Sequence, residues 1–126
     1  MAYAYDNENI FARILRGEIP CDKVLETDHA LAFRDIAPKT PDHVLVIPKG
    51  AYVTWDHFAA EASDAEVADF VRAVGKVAQM VDAAPGDGKN GYRLISNAGT
   101  DGVQEVPHLH LHVLAGRPLG WMIRPG

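Results

Sequence analysis

From Pro107 the chain reads His108, Leu109, His110, Leu111, His112, Val113, Leu114. Histidine and apolar residues alternate with a period of two, and no other stretch restricts the backbone as firmly. In a helix, His108 and His112 would meet at i and i+4, a zinc-binding arrangement. The strict alternation and the proline just before it favour a strand instead. Leu109, Leu111 and Val113 then pack on a core, and three imidazoles share the opposite face.

Such a face has three readings. It is a tolerated polar surface, although Lys, Thr or Glu would serve a solvated strand as well. It is a metal site, since neutral imidazole is a common ligand. Or it presents a nucleophile, one imidazole having a bare nitrogen while its other nitrogen is held as N–H by an acceptor. Flanking histidines would then donate to an anionic oxygen as charge develops, which suits attack on phosphorus.

The rest of the chain places this strand in an α+β domain around a mostly antiparallel sheet. NIFARILRGEIP reads as a short helix with Ile10, Phe11, Ile14 and Leu15 on one face, ended by Gly17 and Pro20. DKVLET, HALAFRDI, HVLVIPK and YRLIS read as strands, and APKTPD and NAGTDGVQEV as turn and loop. SDAEVADFVRAVGKVAQMVDAAPG is the long helix, opened by a Ser63–Glu66 capping box and stopped at Pro85-Gly86. Its apolar stripe is Val67, Phe70, Val71, Val74, Val77, Ala78 and Val81. GRPLGWMIRPG reads as an irregular arm, and His29 and His57 as surface residues.

The 126 residues suit one domain with one core. A net charge of −5 without a basic run argues against nucleic acid or an anionic membrane as partner, and leaves room for a small anion. No apolar run is long enough to cross a bilayer. The opening MAYAYDNENI lacks the basic and apolar regions of a leader, so the cytoplasm is the expected location. Cys21 is the single cysteine, which excludes an internal disulfide and any Cys-x-x-Cys motif.

The stretch HLHLHVL resembles the motif of the histidine triad (HIT) superfamily, His-φ-His-φ-His-φ-φ with φ apolar. The resemblance extends to NIFARILRGEIPCDKVLETDHALAFRDIAPKTPDHVLVIPK and to RLISNAGTDGVQEVPHLHLHVLAGRPLGW. Gly-Arg after the triad and a Trp-bearing tail are similar to the Hint branch, the histidine triad nucleotide-binding proteins.

The resemblance implies a HIT-like α+β fold: a five-stranded antiparallel sheet with two helices, one domain over 1–126 with an arm at about 116–126, and a homodimer. It implies a purine nucleotide-binding hydrolase that cleaves nucleoside 5'-phosphoramidates or related phosphoesters through a nucleotidyl-histidine. Dinucleoside polyphosphate hydrolysis and a non-enzymatic nucleotide-binding role are the alternatives. His110 would be the nucleophile, His112 would contact phosphate, and His108 would pair with His43. Asp35 would hold the ribose hydroxyls with Ile36 beside it, and Asn97 and Glu105 would lie near the phosphate. Ile10, Phe11, Ile14 and Phe33 would wall the base. No cofactor is implied.

Each of these residues also has a plainer reading. The four apolar ones fit a core, Asp35 could cap a turn, Asn97 suits a turn before Ala98-Gly99, and His43 could be a satisfied strand-end histidine. The chain departs from its relatives at Glu105, where many have Ser, at Pro107, which replaces an aromatic, and at Gly50. Asn9 and Ala12 stand where some relatives carry zinc-binding cysteines, so no zinc is expected there.

Overall fold

The computed structural model describes residues 3–123. Its elements are α1 (Ile10–Leu15), β1 (Lys23–Glu26), β2 (Ala30–Arg34), β3 (Asp42–Pro48), α2 (Trp55–Glu61), α3 (Asp64–Met80), a 3-10 turn at Pro85–Asp87, β4 (Tyr92–Ile95) and β5 (Leu111–Ala115). The five strands form one sheet in the order β1-β2-β3-β5-β4, and every neighbouring pair is antiparallel. The architecture is the α+β sheet expected from the sequence. Among the described residues it carries three α-helices rather than two.

Capping sets the helix limits. The Asn9 side chain accepts from Phe11 N and Ala12 N, both at 2.9 Å, and so starts α1. Ser63 and Glu66 close a reciprocal box at the start of α3, Glu66 N–H donating to Ser63 Oγ at 3.1 Å and Ser63 N–H to Glu66 Oε1 at 3.0 Å. The long helix ends earlier than Pro85. Asp82 turns left-handed at φ 62°, Ala83 N–H reaches back to Ala78 O, and Asp82 N–H reaches Gln79 O. These bonds form a Schellman motif, which terminates the helix without proline.

The central strands of the sheet pack on both faces, while the edge strands β1 and β4 are partly exposed. Toward α3 the sheet presents Ala30, Ala32, Val44, Val46, Leu111 and Val113, which pack with Leu109, Phe58, Phe70, Ala73, Val74 and Val77. Of the expected apolar stripe of α3, Val71 is exposed and Val67 only packs at the margin. Toward α1 the sheet presents Leu31, Phe33, Leu45 and Ile47, which pack with Phe11. His43 shares the parity of Leu45 and Ile47 on β3, and so belongs to the α1 side.

The histidine stretch is a strand over only part of its length. Ladder pairing begins at Leu111, opposite Val46. Two residues beyond Val46 the partner strand ends at Pro48, which has no N–H to donate. Pro48 O instead meets the His108 ring, and Leu109 N–H turns to Tyr52 O at 2.8 Å.

Candidate functional site

A cleft of about 290 Å³ opens on the α1 side of the sheet, beside the junction of β3, β5 and β4. His43 comes from the start of β3, His112 from β5, and His110 from the residue before β5. Ile95 ends β4, and Asn97 follows it. Asp35 and Lys39 come from the turn between β2 and β3, and Val103 and Glu105 from the loop before the triad.

Hydrogen-bond partners fix the proton on each ring. His110 Nδ1 lies 2.7 Å from His108 O. A carbonyl only accepts, so Nδ1 carries the proton and Nε2 of the neutral ring is bare. Lys39 N–H donates to His43 Nδ1 at 3.1 Å, so the proton of neutral His43 sits on Nε2. That N–H meets His112 Nδ1 at 2.8 Å, with Asp35 Oδ2 at 3.5 Å. Neutral His112 therefore keeps its own proton on Nε2.

Neutrality follows from burial. Desolvation lowers the pKa of His110, opposed by its bond to His108 O and by Asp35 and Glu105. Burial, together with the neighbouring His110 and His43, pushes His112 down to about 4. Burial also lowers His43, against the pull of Asp35.

The cleft gathers six of the residues singled out in the sequence: His43, His110, His112, Asp35, Asn97 and Glu105. Asp35 does cap a turn, as its plainer reading held, with Oδ1 accepting from Ala37 N–H at 2.8 Å. The same side chain lines the cleft. The expected pairing of His43 with His108 is not formed. His43 bonds His112, while His108 lies fully buried behind the cleft, between Tyr5 Oη at 2.5 Å and Pro48 O at 2.9 Å.

The apolar residues assigned to the base lie outside this cleft. Phe11 and Phe33 are core, although the Phe11 ring meets His110 edge-on with centroids 5.0 Å apart. Ile14 lines a separate groove with Leu15, Cys21 and Leu31. Ile10 is half-exposed, and Ile36 is 97% exposed.

Sequence reasoning missed Lys39, Ile95, Val103 and Leu114 at the cleft. It also missed Gln104, whose amide Nε2 donates to Val53 O at 2.7 Å and to Val106 O at 3.0 Å. This ties the loop to the body of the fold. Gly102 carried a signal: a Cβ there would lie 2.5 Å from Ala98 O, so the loop closes only around glycine. His57 is buried rather than on the surface. It is stacked on Tyr3 with centroids 4.8 Å apart, and its Nε2 lies 3.2 Å from Glu61 Oε2.

Among the described residues one group of side chains offers a metal ligand set. One donor atom each from Asp35, His43 and His112 lies within 4.8 Å of the others. The positions of the zinc-binding cysteines offer none: Asn9 Oδ1 is used in capping α1, and Ala12 has no donor.

The chain is similar to known proteins over most of its length. A protein from Azospirillum brasilense described as an uncharacterized 13.2 kDa HIT-like protein is 63% identical over 126 residues, covering 100% of both chains. The purine nucleoside phosphoramidase of Escherichia coli K12 is 42% identical over 116 residues, covering 92% of this chain and 93% of its own. The structure of a histidine triad protein from Clostridium difficile superposes with a TM-score of 0.76 at 39% identity, covering 92% of this chain and 96% of the other. The HIT domain family matches residues 16–119. A match that takes in β1 to β5 and all three triad histidines settles the kinship: this chain belongs to the HIT family.

Proposed function

We propose that the protein is a purine nucleotide-binding phosphoramidase-type hydrolase acting through a nucleotidyl-histidine. The observation that carries the reading is the bond from His110 Nδ1–H to His108 O. It leaves a neutral imidazole with its Nε2 lone pair available in a cleft, beside a second imidazole whose Nε2 carries a proton. The first ring is set to attack and the second to donate to an oxygen of the group attacked. The 42% identity to a purine nucleoside phosphoramidase supports the same chemistry.

In the first step, His110 Nε2 forms a bond to the α-phosphorus of a nucleoside 5'-phosphoramidate. The P–N bond to the leaving amine breaks, and the nitrogen takes a proton from solvent as it departs. In the second step water adds to phosphorus, its proton passes to solvent, and the P–Nε2 bond breaks. A nucleoside monophosphate leaves, and His110 returns to its neutral tautomer. His112 Nε2–H holds a phosphate oxygen through both steps. Asp35 accepts from the ribose hydroxyls, Asn97 lies near the phosphate, and Glu105 faces the leaving group. For the base the reading uses the exposed side chains of Ile10 and Ile36, while Phe11 and Phe33 belong to the core and Ile14 packs against it.

The reading includes a homodimer. Arg93 on edge strand β4 holds Gly120 O at 2.9 Å and Trp121 O at 3.3 Å. Trp121, Met122 and Ile123 are exposed. An apolar arm held at a sheet edge suits a second copy. Residues 124–126 of this arm lie outside the described residues. Light scattering at micromolar concentration should give twice the chain mass, and a monomer would end this part of the reading.

The test of the chemistry uses adenosine 5'-phosphoramidate and diadenosine polyphosphate as competing substrates. The phosphoramidate should be turned over, and brief mixing followed by mass spectrometry under neutral conditions should find a nucleotidyl adduct on His110. His110→Ala should lose turnover and keep adenosine monophosphate binding within about tenfold, because base and ribose contacts remain. Preference for the dinucleotide would indicate the polyphosphate hydrolase. Binding without any adduct or turnover would indicate a binding module.

A further inference from the structure

We propose that Tyr5 is a positioning residue for the triad, its hydroxyl fixing the His108 ring and, through the His108 carbonyl, the tautomer of His110. The inference rests on the reading of His110 as the attacking group.

The observation is a chain of three hydrogen bonds. Tyr5 Oη lies 2.5 Å from His108 Nδ1. His108 Nε2 lies 2.9 Å from Pro48 O. His108 O lies 2.7 Å from His110 Nδ1. Directions follow from the atoms. Pro48 O can only accept, so the His108 proton sits on Nε2 and Nδ1 is bare. Tyr5 Oη–H is then the donor to Nδ1. The His108 ring is wholly buried, and burial pushes its pKa down to about 4, which keeps it neutral as this pattern requires.

A buried ring held at one nitrogen can rotate about its remaining freedom, whereas a ring held at both cannot. Pro48 anchors one end from β3 and Tyr5 the other, from 103 residues away in sequence. His108 lies before the ladder of β5 begins, so strand pairing does not hold its carbonyl. Leu109 N–H, in the same peptide unit, is held by Tyr52 O at 2.8 Å, and the His108 side chain restrains the unit from its other end. His110 needs that carbonyl, because it keeps the proton on Nδ1 and the lone pair on Nε2.

The N-terminal segment is built to deliver Tyr5. Asp6 O accepts from Asn9 N at 3.2 Å and from Asn9 Nδ2 at 2.7 Å, closing a turn directly after the tyrosine. The same Asn9 caps α1, and α1 carries Phe11, whose ring meets both His108 and His110 edge-on. Tyr5 also meets the His108 ring edge-on, with centroids 5.6 Å apart. The ring supplies packing and the hydroxyl supplies direction, and the two can be separated.

Tyr5→Phe in the full chain keeps the ring and removes the hydroxyl. Against adenosine 5'-phosphoramidate, kcat should fall about tenfold with KM within about twofold, since no ground-state contact to substrate is lost. Imidazole 15N spectra should change at His108 and turn His110 from a single Nδ1–H tautomer to a mixture. Unchanged imidazole spectra would overturn the proposal, as would a KM that rises in step with the loss of kcat. If wild type turns over neither substrate, the phosphoramidase reading fails. The spectra of the two proteins still decide the role of Tyr5. If Tyr5→Phe does not fold, the wild-type spectrum decides: a slowly exchanging Tyr5 hydroxyl proton coupled to His108 Nδ1 supports the role, and its absence overturns it.

Discussion

His43 Nε2 and His112 Nδ1 lie 2.8 Å apart, on β3 and β5. The two strands pair antiparallel with Leu45 opposite His112 and His43 opposite Leu114. The two histidines are thus diagonal neighbours on one face, and diagonal neighbours on adjacent strands lie within reach of long side chains. The pair sets the His112 tautomer, because His43 already takes Lys39 N–H at Nδ1 and has only Nε2–H to give.

Removing that donor should therefore damage His112 without touching it. His43→Ala should lower kcat about 10- to 100-fold, because His112 is then free to place its proton on Nδ1 and face the phosphate with a lone pair. His43→Gln, whose amide can still donate, should recover part of the loss. Equal activity of the two variants would show that no donor is required.

Protonation of His110 removes its lone pair, so activity should fall on the acid side. The ordinary imidazole midpoint is about 6.5. Burial lowers that of His110, so the acid limb of kcat/KM should have its midpoint below that value, not at it. Stability should follow the same direction. His108 and His112 are held neutral in the fold, both pushed down to about 4, while in the unfolded chain they bind protons from about pH 6.5 downward. The unfolded state gains protons that the folded state refuses, so stability is fully present above about pH 6.5 and is lost progressively toward about pH 4. Urea midpoints measured across this window should fall with pH. A flat profile would mean that the buried rings titrate normally.

The parts of this structure legible in the sequence are those whose causes lie close together along the chain. Alternation showed which side of the sheet Leu111 and Val113 pack on, and Ser63 with Glu66 marked the start of α3. The helix Trp55–Glu61 escaped notice because it lacks an apolar face like that of α1: it buries only His57 and Phe58. Its N-cap, Thr54, is a signal that was present. The partners of His43 and His108 could not be read, because they depend on strand register and on a carbonyl at Pro48 left free where the ladder stops. For the same reason His57 passed for a surface residue, since nothing local revealed the rings of Tyr3 and Tyr52 around it.

Asp35 has two tasks, and they can be separated by substitution. Oδ1 holds the Ala37 N–H and so the turn, and the carboxylate lines the cleft. Asp35→Asn keeps an acceptor for the turn and removes the charge offered to a ribose diol. Binding of adenosine monophosphate should weaken by roughly 1.5–3 kcal/mol, the range for a hydrogen bond to a charged group. Binding of the 2',3'-dideoxy nucleotide should change much less. Equal loss for both sugars would leave Asp35 as a turn residue.

Val103 sits at φ 56°, in the left-handed region that a β-branched residue enters at a cost. Its side chain is 68% exposed, so little packing offsets that cost. Val103→Gly removes a penalty of roughly 1–2 kcal/mol and adds a backbone-entropy cost of roughly 0.5–1 kcal/mol. The variant should be more stable by about 0.5–1 kcal/mol, seen as a higher urea midpoint with an unchanged slope. A lower midpoint would show that the side chain is held by contacts stronger than its exposure suggests.

Among the described residues zinc has two places to consider, and neither favours tight retention. At the first, Asn9 and Ala12 replace cysteines, and Asn9 is committed to capping α1. At the second, Asp35, His43 and His112 offer donor atoms within 4.8 Å of one another. There His43 Nε2 and His112 Nδ1 share one proton at 2.8 Å. Tetrahedral zinc with Zn–N bonds of about 2.0–2.1 Å holds its nitrogens roughly 3.3 Å apart, so the pair would have to lose the proton and open. The ion would also take the proton arrangement that the proposed chemistry uses. The purified protein should therefore carry far less than one zinc per chain by elemental analysis, and its turnover should survive prolonged treatment with a chelator. About one zinc per chain, with activity lost on chelation and restored by zinc alone, would show that the cluster is a metal centre and that the shared proton belongs to the empty form.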